Sequence, residues 1–243
     1  MAALRRHPDV IRCPRTEVHF FDTSHWGYGV GWYRRWFPYR WDRWRARRQG
    51  HAGVTGEKSP FYLGHPEAPA RLVQVLPDAR LVALLRDPVS RAVSHWKMRS
   101  LRGTETRTFP EAVAAELGAA FLEGGEADLS LSPQTQKGRR YEAYLARGIY
   151  VDELKRWREF VPETQLLVIQ SERFFRDPEP VLAEVSRHVG ISTQAGLIEA
   201  RPMNRNRADR EAIDPALLER LRDFYRPHNE RLASYLGQPF DWR

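Results

Sequence analysis

The chain has 243 residues, enough for one α/β domain with a full hydrophobic core, and its 39 lysines and arginines outnumber its 31 aspartates and glutamates. The resulting net charge of +8 suits an acidic ligand, a nucleic acid or an anionic surface, without choosing among them. The single cysteine, Cys13, excludes an internal disulfide framework and a cysteine-rich zinc site, and it favours a reducing cytoplasm. We expect no membrane span, because no apolar run approaches ~18 residues.

The first part of the chain predicts one short strand followed by an unusual aromatic stretch. The first ten residues look like the tail of a helix, and TEVHFFD from Thr16 predicts a strand that ends at Asp22. Residues 20–44 then hold five of the eight tryptophans, interleaved with glycine and arginine. Aromatic rings among arginines can stack on bases or sugar faces, or they can be amphipathic filler that covers the sheet. We favour filler for most of these rings.

The segment GVTGEKSPFYLGHP predicts a second short strand at residues 54–55, which Ser59 and Pro60 break. Glu57 and Lys58 then lie at the end of this strand. Proteins of the α/β class place their chemistry at strand ends, so the two charged residues stand at a candidate functional position.

A third strand is predicted at residues 81–85, where five apolar residues follow one another. The run is too unbroken for a surface strand, so we expect a buried parallel one. Asp87 is then a good N-cap, and Pro88 suits the first helical position because its missing N–H costs nothing there. A helix should therefore run from Pro88 to about Arg102.

This strand, turn and helix also predict an anion site. Arg91 and Ser94, three residues apart, share one helix face, and Arg86 lies just before the turn. A helix N-terminus, two guanidinium groups and a hydroxyl would then point to one place, where phosphate is the usual occupant. Arginines at strand ends and serines in helices are also common without a ligand, so the spacing alone leaves both interpretations open.

The remaining patterns complete an alternation of helices and strands. In chain order they predict a short helix within residues 66–79, helices at 111–123 and 141–161, a buried strand from 165, a polar turn and helix within 171–190, and an amphipathic helix at 215–236. The helix at 141–161 should kink near Gly148. Such alternation is typical of a doubly wound parallel sheet, so we predict an α/β fold.

Several of these segments resemble a known family. RDPVSRAVS resembles the 3′-phosphate-binding motif of sulfotransferases that use 3′-phosphoadenosine 5′-phosphosulfate (PAPS). TEVHFFD, GVGWYRRWFP, GEKSPFYL, LLRDPVSRAVSHW and GQPFDWR, in this order, resemble the sulfotransferase domains of heparan sulfate 3-O- and N-sulfotransferases and their bacterial relatives. The resemblance implies a single sulfotransferase domain over residues 1–243, with a P-loop-like, three-layer α/β fold around a central parallel sheet flanked by helices.

The resemblance also implies a donor and an acceptor. PAPS would give its sulfuryl group to a hydroxyl or amine, with no metal, on a small-molecule or carbohydrate acceptor, of which we favour carbohydrate. Arg86 and Ser94 would hold the 3′-phosphate of the donor, in agreement with the anion site above. Arg205, in a basic loop that matches the family only loosely, would reach the nucleotide phosphates. No specific nucleic acid partner is implied, and the sequence gives no indication of oligomeric state.

By resemblance, Glu17, His19 and Lys58 would form the catalytic part of the site, and Asp22 and Lys58 would contact the acceptor. By resemblance, Glu17 would be the general base, His19 and Asp22 would stand beside it near the acceptor, and Lys58 would add positive charge near the reacting groups and the acceptor. Sulfuryl transfer is similar to phosphoryl transfer, in which positioning and fixed positive charge do most of the work. Without the resemblance, the sequence would favour ordinary structural roles for these residues. Glu17 would be a strand-edge residue that is paired with Arg15 or solvated, and Lys58 would be a solvated lysine. His19 would be a histidine hydrogen-bonded within the sheet.

One family feature has no counterpart in residues 1–243. Sulfotransferases of this kind begin with a strand and a loop resembling GVxKSGTTSL, whose backbone cradles the 5′-phosphosulfate. The start MAALRRHPDV corresponds to the end of the helix that follows this loop. Two explanations of the missing loop are expected. The reading frame was started too far downstream, or the gene is a decayed or repurposed copy of a sulfotransferase gene. We favour the first explanation, because the later motifs are intact. Without the loop we expect little turnover.

A second function class therefore stays open at this stage. The chain would then be a catalytically impaired binding module that holds a nucleotide through Arg86 and Ser94, or a polyanion through the arginine-rich residues 34–48. A kinase is disfavoured, because the sequence has neither a Walker-type loop nor an obvious pattern of magnesium ligands.

Overall fold

The protein is described here from a computed structural model, which covers residues 4–128, 143–193, 213–240 and 242. These residues divide into two compact units. The first unit contains residues 4–85 and 154–193, and the second contains residues 86–128, 143–153, 213–240 and 242.

Two strands and ten helices are found in the described part of the chain. In order they are α1 (Gly29–Arg34), α2 (Arg40–Arg48), α3 (Ala68–Val75), β1 (Leu81–Leu85), α4 (Pro88–Leu101), α5 (Phe109–Leu117), α6 (Ala119–Leu122), α7 (Tyr150–Arg158), β2 (Leu166–Gln170), α8 (Ser171–Arg176), α9 (Pro178–Val189) and α10 (Pro215–Leu236). None of these helices is long and apolar enough to cross a membrane.

The sheet of the first unit consists of β1 and β2, which pair in parallel. The register places Leu81 opposite Leu166 and Leu85 opposite Gln170. Parallel strands need a crossover connection, and the chain between β1 and β2 supplies one that contains helices. The predicted α/β class and parallel sheet are thus confirmed.

The two strands differ in burial. In β2, Ile169 is fully buried and packs with Val181 and Val185 of α9, as predicted for a buried strand. In β1, Val82 and Leu84 are 40% and 52% exposed, so the prediction of a buried strand is wrong there. Both side chains lie on one face of β1, because strand residues two apart share a face, and no described residue buries that face.

Helix α4 begins and ends close to its predicted bounds. The Asp87 carboxylate accepts the N–H of Ser90 at 2.7 Å, and Pro88 occupies the first helical position. The apolar stripe of the helix is buried through Val89, Ala92 and Trp96. The predicted closing helix is likewise confirmed as α10.

Other predicted elements are interrupted by local backbone chemistry. The predicted helix at 111–123 is instead two helices, α5 and α6, separated by Gly118 at φ 88°. The predicted helix at 141–161 becomes a 3₁₀ turn at Ala146–Gly148 followed by α7, with residues 141 and 142 outside the described ranges. Gly148 leaves no room for a side chain, since a Cβ there would lie 2.8 Å from both Pro88 and Tyr225.

The strand predicted from Thr16 to Asp22 is wrong. This segment is irregular, because the N–H groups of Val18 and His19 donate to the side chains of Glu57 and Ser59 and not to a neighbouring strand. The strand predicted at 54–55 shrinks to a single parallel bridge between Val10 and Val54. Side chains have replaced the backbone ladder that the apolar pattern predicted.

Candidate active site

Four charged or titratable side chains of the first unit form a continuous chain of contacts. Lys58 Nζ lies 2.7 Å from Glu17 Oε1, and Glu17 Oε2 lies 3.8 Å from His19 Nε2. On the other side of the imidazole, His19 Nδ1 lies 2.9 Å from Asp22 Oδ2. We call these four residues the Glu17 cluster. The side chains of Lys58 and Glu17 are about half exposed, at 52% and 45%, whereas that of Asp22 is fully buried.

The backbone that carries the Glu17 cluster is held in an unusual conformation. His19 has φ 54°, a left-handed value that non-glycine residues seldom adopt. Its N–H donates to Ser59 Oγ at 3.1 Å, and its carbonyl accepts the hydroxyl of Thr23. The N–H of Lys58 donates to the carbonyl of Thr16 at 2.8 Å. These bonds tie the two segments of the cluster together.

Glu57 organises the same region from the inside. Its carboxylate accepts four hydrogen bonds, from Val18 N–H at 3.1 Å, Ser59 Oγ at 2.7 Å, Tyr62 Oη at 2.7 Å and Tyr33 Oη at 3.2 Å. Burial, reinforced by the negative charge of Glu57, raises the pKa of both tyrosines, so they remain hydroxyl donors. From the sequence, Glu57 stood with Lys58 at a candidate functional position, but no specific role for it was predicted.

Buried aromatic rings adjoin the Glu17 cluster in sequence. Phe20 and Phe21 are fully buried, and Phe20 stacks on Tyr33 with ring centroids 4.7 Å apart. Tyr62 meets the edge of Phe21 at 5.3 Å, and its hydroxyl accepts the N–H of Phe20. The prediction that aromatic residues of the stretch 20–44 act as packing filler is confirmed for Phe20, Phe21 and Tyr33, but Trp41 and Trp44 of α2 are exposed.

The predicted phosphate ligands Arg86 and Ser94 lie in the second unit. Arg86 is exposed, and its guanidinium pairs with no acidic side chain among the described residues. Its carbonyl accepts the hydroxyl of Tyr150 at 2.8 Å, while burial raises the pKa of that tyrosine to about 12. Ser94 is half-buried on α4, and its hydroxyl has no hydrogen-bond partner in the described part of the chain. Both groups are available to a ligand.

Arg91, the other guanidinium of the predicted anion site, has a structural contact. It donates to the carbonyl of Tyr144 and so holds the chain that precedes α7. Beside it, burial and the charges of Arg91, Arg147 and Arg99 lower the pKa of His95 to about 3. His95 is therefore neutral at physiological pH, which sequence analysis did not foresee. Arg205 lies outside the described residues, so its role stays a prediction.

A parallel β-sheet followed by a capped helix, with an exposed guanidinium at the turn between them and a hydroxyl further along the helix, defines the protein as an α/β protein. Residues 3–195 match the family model described as "Sulfotransferase family". The chain therefore belongs to the sulfotransferase family.

Individual relatives agree with this family. The chain is 28% identical to human heparan sulfate glucosamine 3-O-sulfotransferase 3B1 over 98% of its own length and 60% of the relative's. Human heparan sulfate glucosamine 3-O-sulfotransferase 3A1 is also 28% identical, over 98% of this chain and 57% of the relative. The chain thus spans less than two thirds of the length of these curated relatives.

A solved structure supports the fold directly. The crystal structure of a sulfotransferase from Alicyclobacillus acidocaldarius has a TM-score of 0.69 to this chain at 26% identity. The match covers 99% of this chain and 91% of the other. The predicted P-loop-like α/β sulfotransferase fold is confirmed by this likeness.

Proposed function

We propose that the protein transfers a sulfuryl group from PAPS to a hydroxyl or amine of a carbohydrate acceptor. The observation that carries the proposal is the Glu17 cluster, in which a half-exposed carboxylate lies 2.7 Å from an ammonium group and 3.8 Å from an imidazole in a chain of the sulfotransferase family. The names of the matched relatives, which specify heparan sulfate glucosamine, support the carbohydrate acceptor.

The bonds that form and break in sulfuryl transfer define the role proposed for Glu17. When bound, PAPS supplies an activated sulfur whose bond to the 5′-phosphate oxygen can break. The acceptor oxygen or nitrogen attacks this sulfur, the electron pair of the broken bond leaves with the phosphate, and the acceptor proton passes to Glu17. A positioned base of this kind contributes a factor of roughly 10²–10⁴ to the rate.

Lys58 and His19 fix the carboxylate, and Lys58 also supplies positive charge. The Lys58 ammonium group, bound to one oxygen of Glu17, can also stabilise the negative charge that spreads over the transferring group. His19 borders the other oxygen of Glu17 and is oriented by the buried Asp22. In this proposal Asp22 and Lys58 additionally contribute to acceptor binding.

The donor site is proposed separately in the second unit. The exposed guanidinium of Arg86 and the unpartnered hydroxyl of Ser94 fit a phosphate, because a charge-assisted hydrogen bond and a hydroxyl donor are what such an oxyanion needs. We assign them the 3′-phosphate of PAPS, with Arg205 as a further phosphate contact.

Two wider assignments belong to the same proposal. A single sulfotransferase domain is supported by the family match over residues 3–195, which includes parts of both units. A cytoplasmic location is supported by the cysteine content, since one cysteine cannot form an internal disulfide. No metal is part of the proposed reaction.

Transfer of labelled sulfate from PAPS to heparan-type oligosaccharides tests the function. The assay compares the chain of residues 1–243 with a form extended by any in-frame upstream coding sequence. Sulfated product from either form supports the proposal. Absence of product from both, with 3′-phosphoadenosine 5′-phosphate still bound, identifies a nucleotide-binding module instead.

Calorimetry with 3′-phosphoadenosine 5′-phosphate tests the donor site. We expect Arg86→Gln to weaken binding about tenfold or more, since a charged hydrogen bond to phosphate is lost. The matched control is Arg102→Gln, an exposed arginine at the end of α4. Equal affinities of the two variants would remove Arg86 from the donor site.

A further inference from the structure

Helix α2 is built from residues that the fold does not bury. Its nine residues, RWDRWRARR, include five arginines and two tryptophans, and no side chain of the helix is buried. Hydrophobic burial is what normally stabilises a short surface helix. The composition of α2 therefore needs an explanation outside the core.

The helix is nevertheless held in a defined position. Asp42 accepts the N–H of Tyr39 at 2.8 Å and so closes the first turn. At the other end, the N–H of His51 donates to Ala46 and Arg43 Nε donates to the carbonyl of Gly53 at 3.4 Å. These contacts fix α2 without using its two tryptophans or the side chains of its other four arginines.

Two tryptophans form an exposed aromatic platform on α2. The rings of Trp41 and Trp44 stack with centroids 4.5 Å apart, and they are 64% and 45% exposed. The guanidinium of Arg48 lies 4.7 Å from the Trp44 ring, in a cation–π contact. Trp44 is thus already engaged by two neighbours, and Trp41 is the ring that remains most open.

Unpaired positive charge is concentrated on α2 and in the chain just before it. Among the described residues, no acidic side chain pairs with these exposed arginines: Arg34, Arg35, Arg40, Arg45, Arg47 and Arg48. The only acidic residue of α2, Asp42, is used in the first-turn cap. Guanidinium groups that are planar and always charged match carboxylates and sulfates in a two-point geometry.

We propose that α2 is an accessory docking surface for an anionic polysaccharide, the polymer that carries the acceptor sugar. The proposal rests on the sulfotransferase function proposed above. Acidic groups along the polymer would pair with the arginines, and the apolar face of one sugar ring would stack on Trp41. Lys58 of the Glu17 cluster follows Arg48 by ten residues, so one segment would bear both the docking surface and part of the reaction site.

Two other partners fit the structure less well. Single-stranded nucleic acid stacks successive bases on successive open rings, whereas α2 leaves one ring largely open. An interfacial membrane helix carries a broad apolar face, whereas α2 sets two tryptophans against five arginines. Charge pairing with one stacking contact therefore favours the polysaccharide.

Binding to heparin at several salt concentrations tests the charges. We expect Arg45→Gln/Arg47→Gln/Arg48→Gln to weaken binding about tenfold and to reduce the slope of log affinity against log salt by roughly two to three. The matched control, Arg102→Gln/Arg176→Gln/Arg187→Gln, removes the same three charges from exposed positions elsewhere. Equal losses in both triple variants would overturn the proposal, because they would show only a dependence on net charge.

A second variant isolates the stacking contact. Trp41→Ala should weaken heparin binding about 3-fold or more. The slope of log affinity against log salt should not change, since no charge is removed. Tyr28→Ala, which removes a ring that is 63% exposed outside α2, is the control. Unchanged heparin affinity of Trp41→Ala would contradict the assigned role of the platform.

Parallel probes decide the class of partner. Oligothymidylate and vesicles rich in phosphatidylglycerol replace heparin in the same measurements. Tighter binding of either probe, with loss in the α2 triple variant, would overturn the polysaccharide assignment. Sulfate transfer to a short oligosaccharide distinguishes the docking proposal from the proposed sulfotransferase function. The α2 triple variant should retain this transfer. If the proposed function itself fails, no variant transfers sulfate.

Discussion

The Glu17 cluster and helix α2 lie in the same unit and are both rich in charge, yet their charges are arranged in opposite ways. In the Glu17 cluster each charged group has a fixed partner, from Lys58 at the exposed end to Asp22 at the buried end. On α2 the arginines have no acidic partner among the described residues, and the tryptophans are exposed. Fixed geometry suits a reaction with one required alignment, while a dense, unpaired surface suits a polymer that binds in many registers.

The largest effect is expected when the carboxylate of Glu17, proposed above as the base, loses its charge. Glu17→Gln should lower kcat by roughly 10²–10⁴, since an amide cannot accept the acceptor proton, while donor affinity stays nearly constant. Turnover and nucleotide binding are measured in the form of the protein that transfers sulfate. Glu163→Gln, an exposed glutamate paired with Arg158, is the matched control, and an unaltered kcat in Glu17→Gln would exclude Glu17 as the base.

The next effect concerns the support of the cluster. Glu57→Ala leaves the hydroxyls of the buried Tyr33 and the half-buried Tyr62 without their acceptor, so we expect the unfolding free energy to fall by about 2–4 kcal/mol. Urea unfolding measures this change. The control Glu67→Ala breaks an exposed pair with Arg71 and should change stability by less than about 1 kcal/mol. Similar losses in both variants would deny Glu57 its organising role.

A smaller effect follows from His95, a half-buried residue outside both regions. The pKa of His95 is lowered from 6.5 to about 3, so the unfolded chain binds a proton that the folded chain rejects. Stability should therefore fall as pH falls from about 6.5 towards 3. From pH 7 to pH 5, the unfolding free energy measured in urea should fall by roughly 1–2 kcal/mol less in His95→Gln than in the parent protein. Parallel pH curves for the two proteins would contradict this prediction.

The smallest effect is expected on α2 itself. The variant Arg45→Gln/Arg47→Gln/Arg48→Gln should keep the unfolding free energy within about 0.5 kcal/mol, because no side chain of the helix is buried. Thermal and urea unfolding would show this. A large destabilisation would mean that α2 supports the fold, and the contrast with the Glu17 cluster would disappear.

Local sequence patterns predicted the elements that depend on nearest neighbours. Asp87 and Pro88 mark the start of α4, and the apolar runs locate β1 and β2, because caps, proline geometry and apolar continuity act within a few residues. The same patterns failed for residues 16–22. There the hydrogen-bond acceptors come from Glu57 and Ser59, about forty residues further along the chain.

The candidate site shows the same division. The sequence, through its resemblance to the family, selected Glu17, His19, Asp22 and Lys58, and the structure brings these four side chains into contact. The hydrogen-bonding role of Glu57 was not predicted, because the sequence of a glutamate next to a lysine does not indicate which of the two side chains points into the protein. Arg91 was grouped with the phosphate ligands by helical spacing, but its guanidinium binds the Tyr144 carbonyl, a partner that spacing cannot reveal.

By itself, the amino-acid sequence determined the class of fold and the family and selected the residues of the candidate site, since these depend on composition, order and short-range geometry. Only the tertiary structure decided which charges are paired and which remain exposed. Pairing depends on residues distant along the chain, and the same arginine or glutamate is a structural contact or a ligand group according to the side chain that the fold brings beside it.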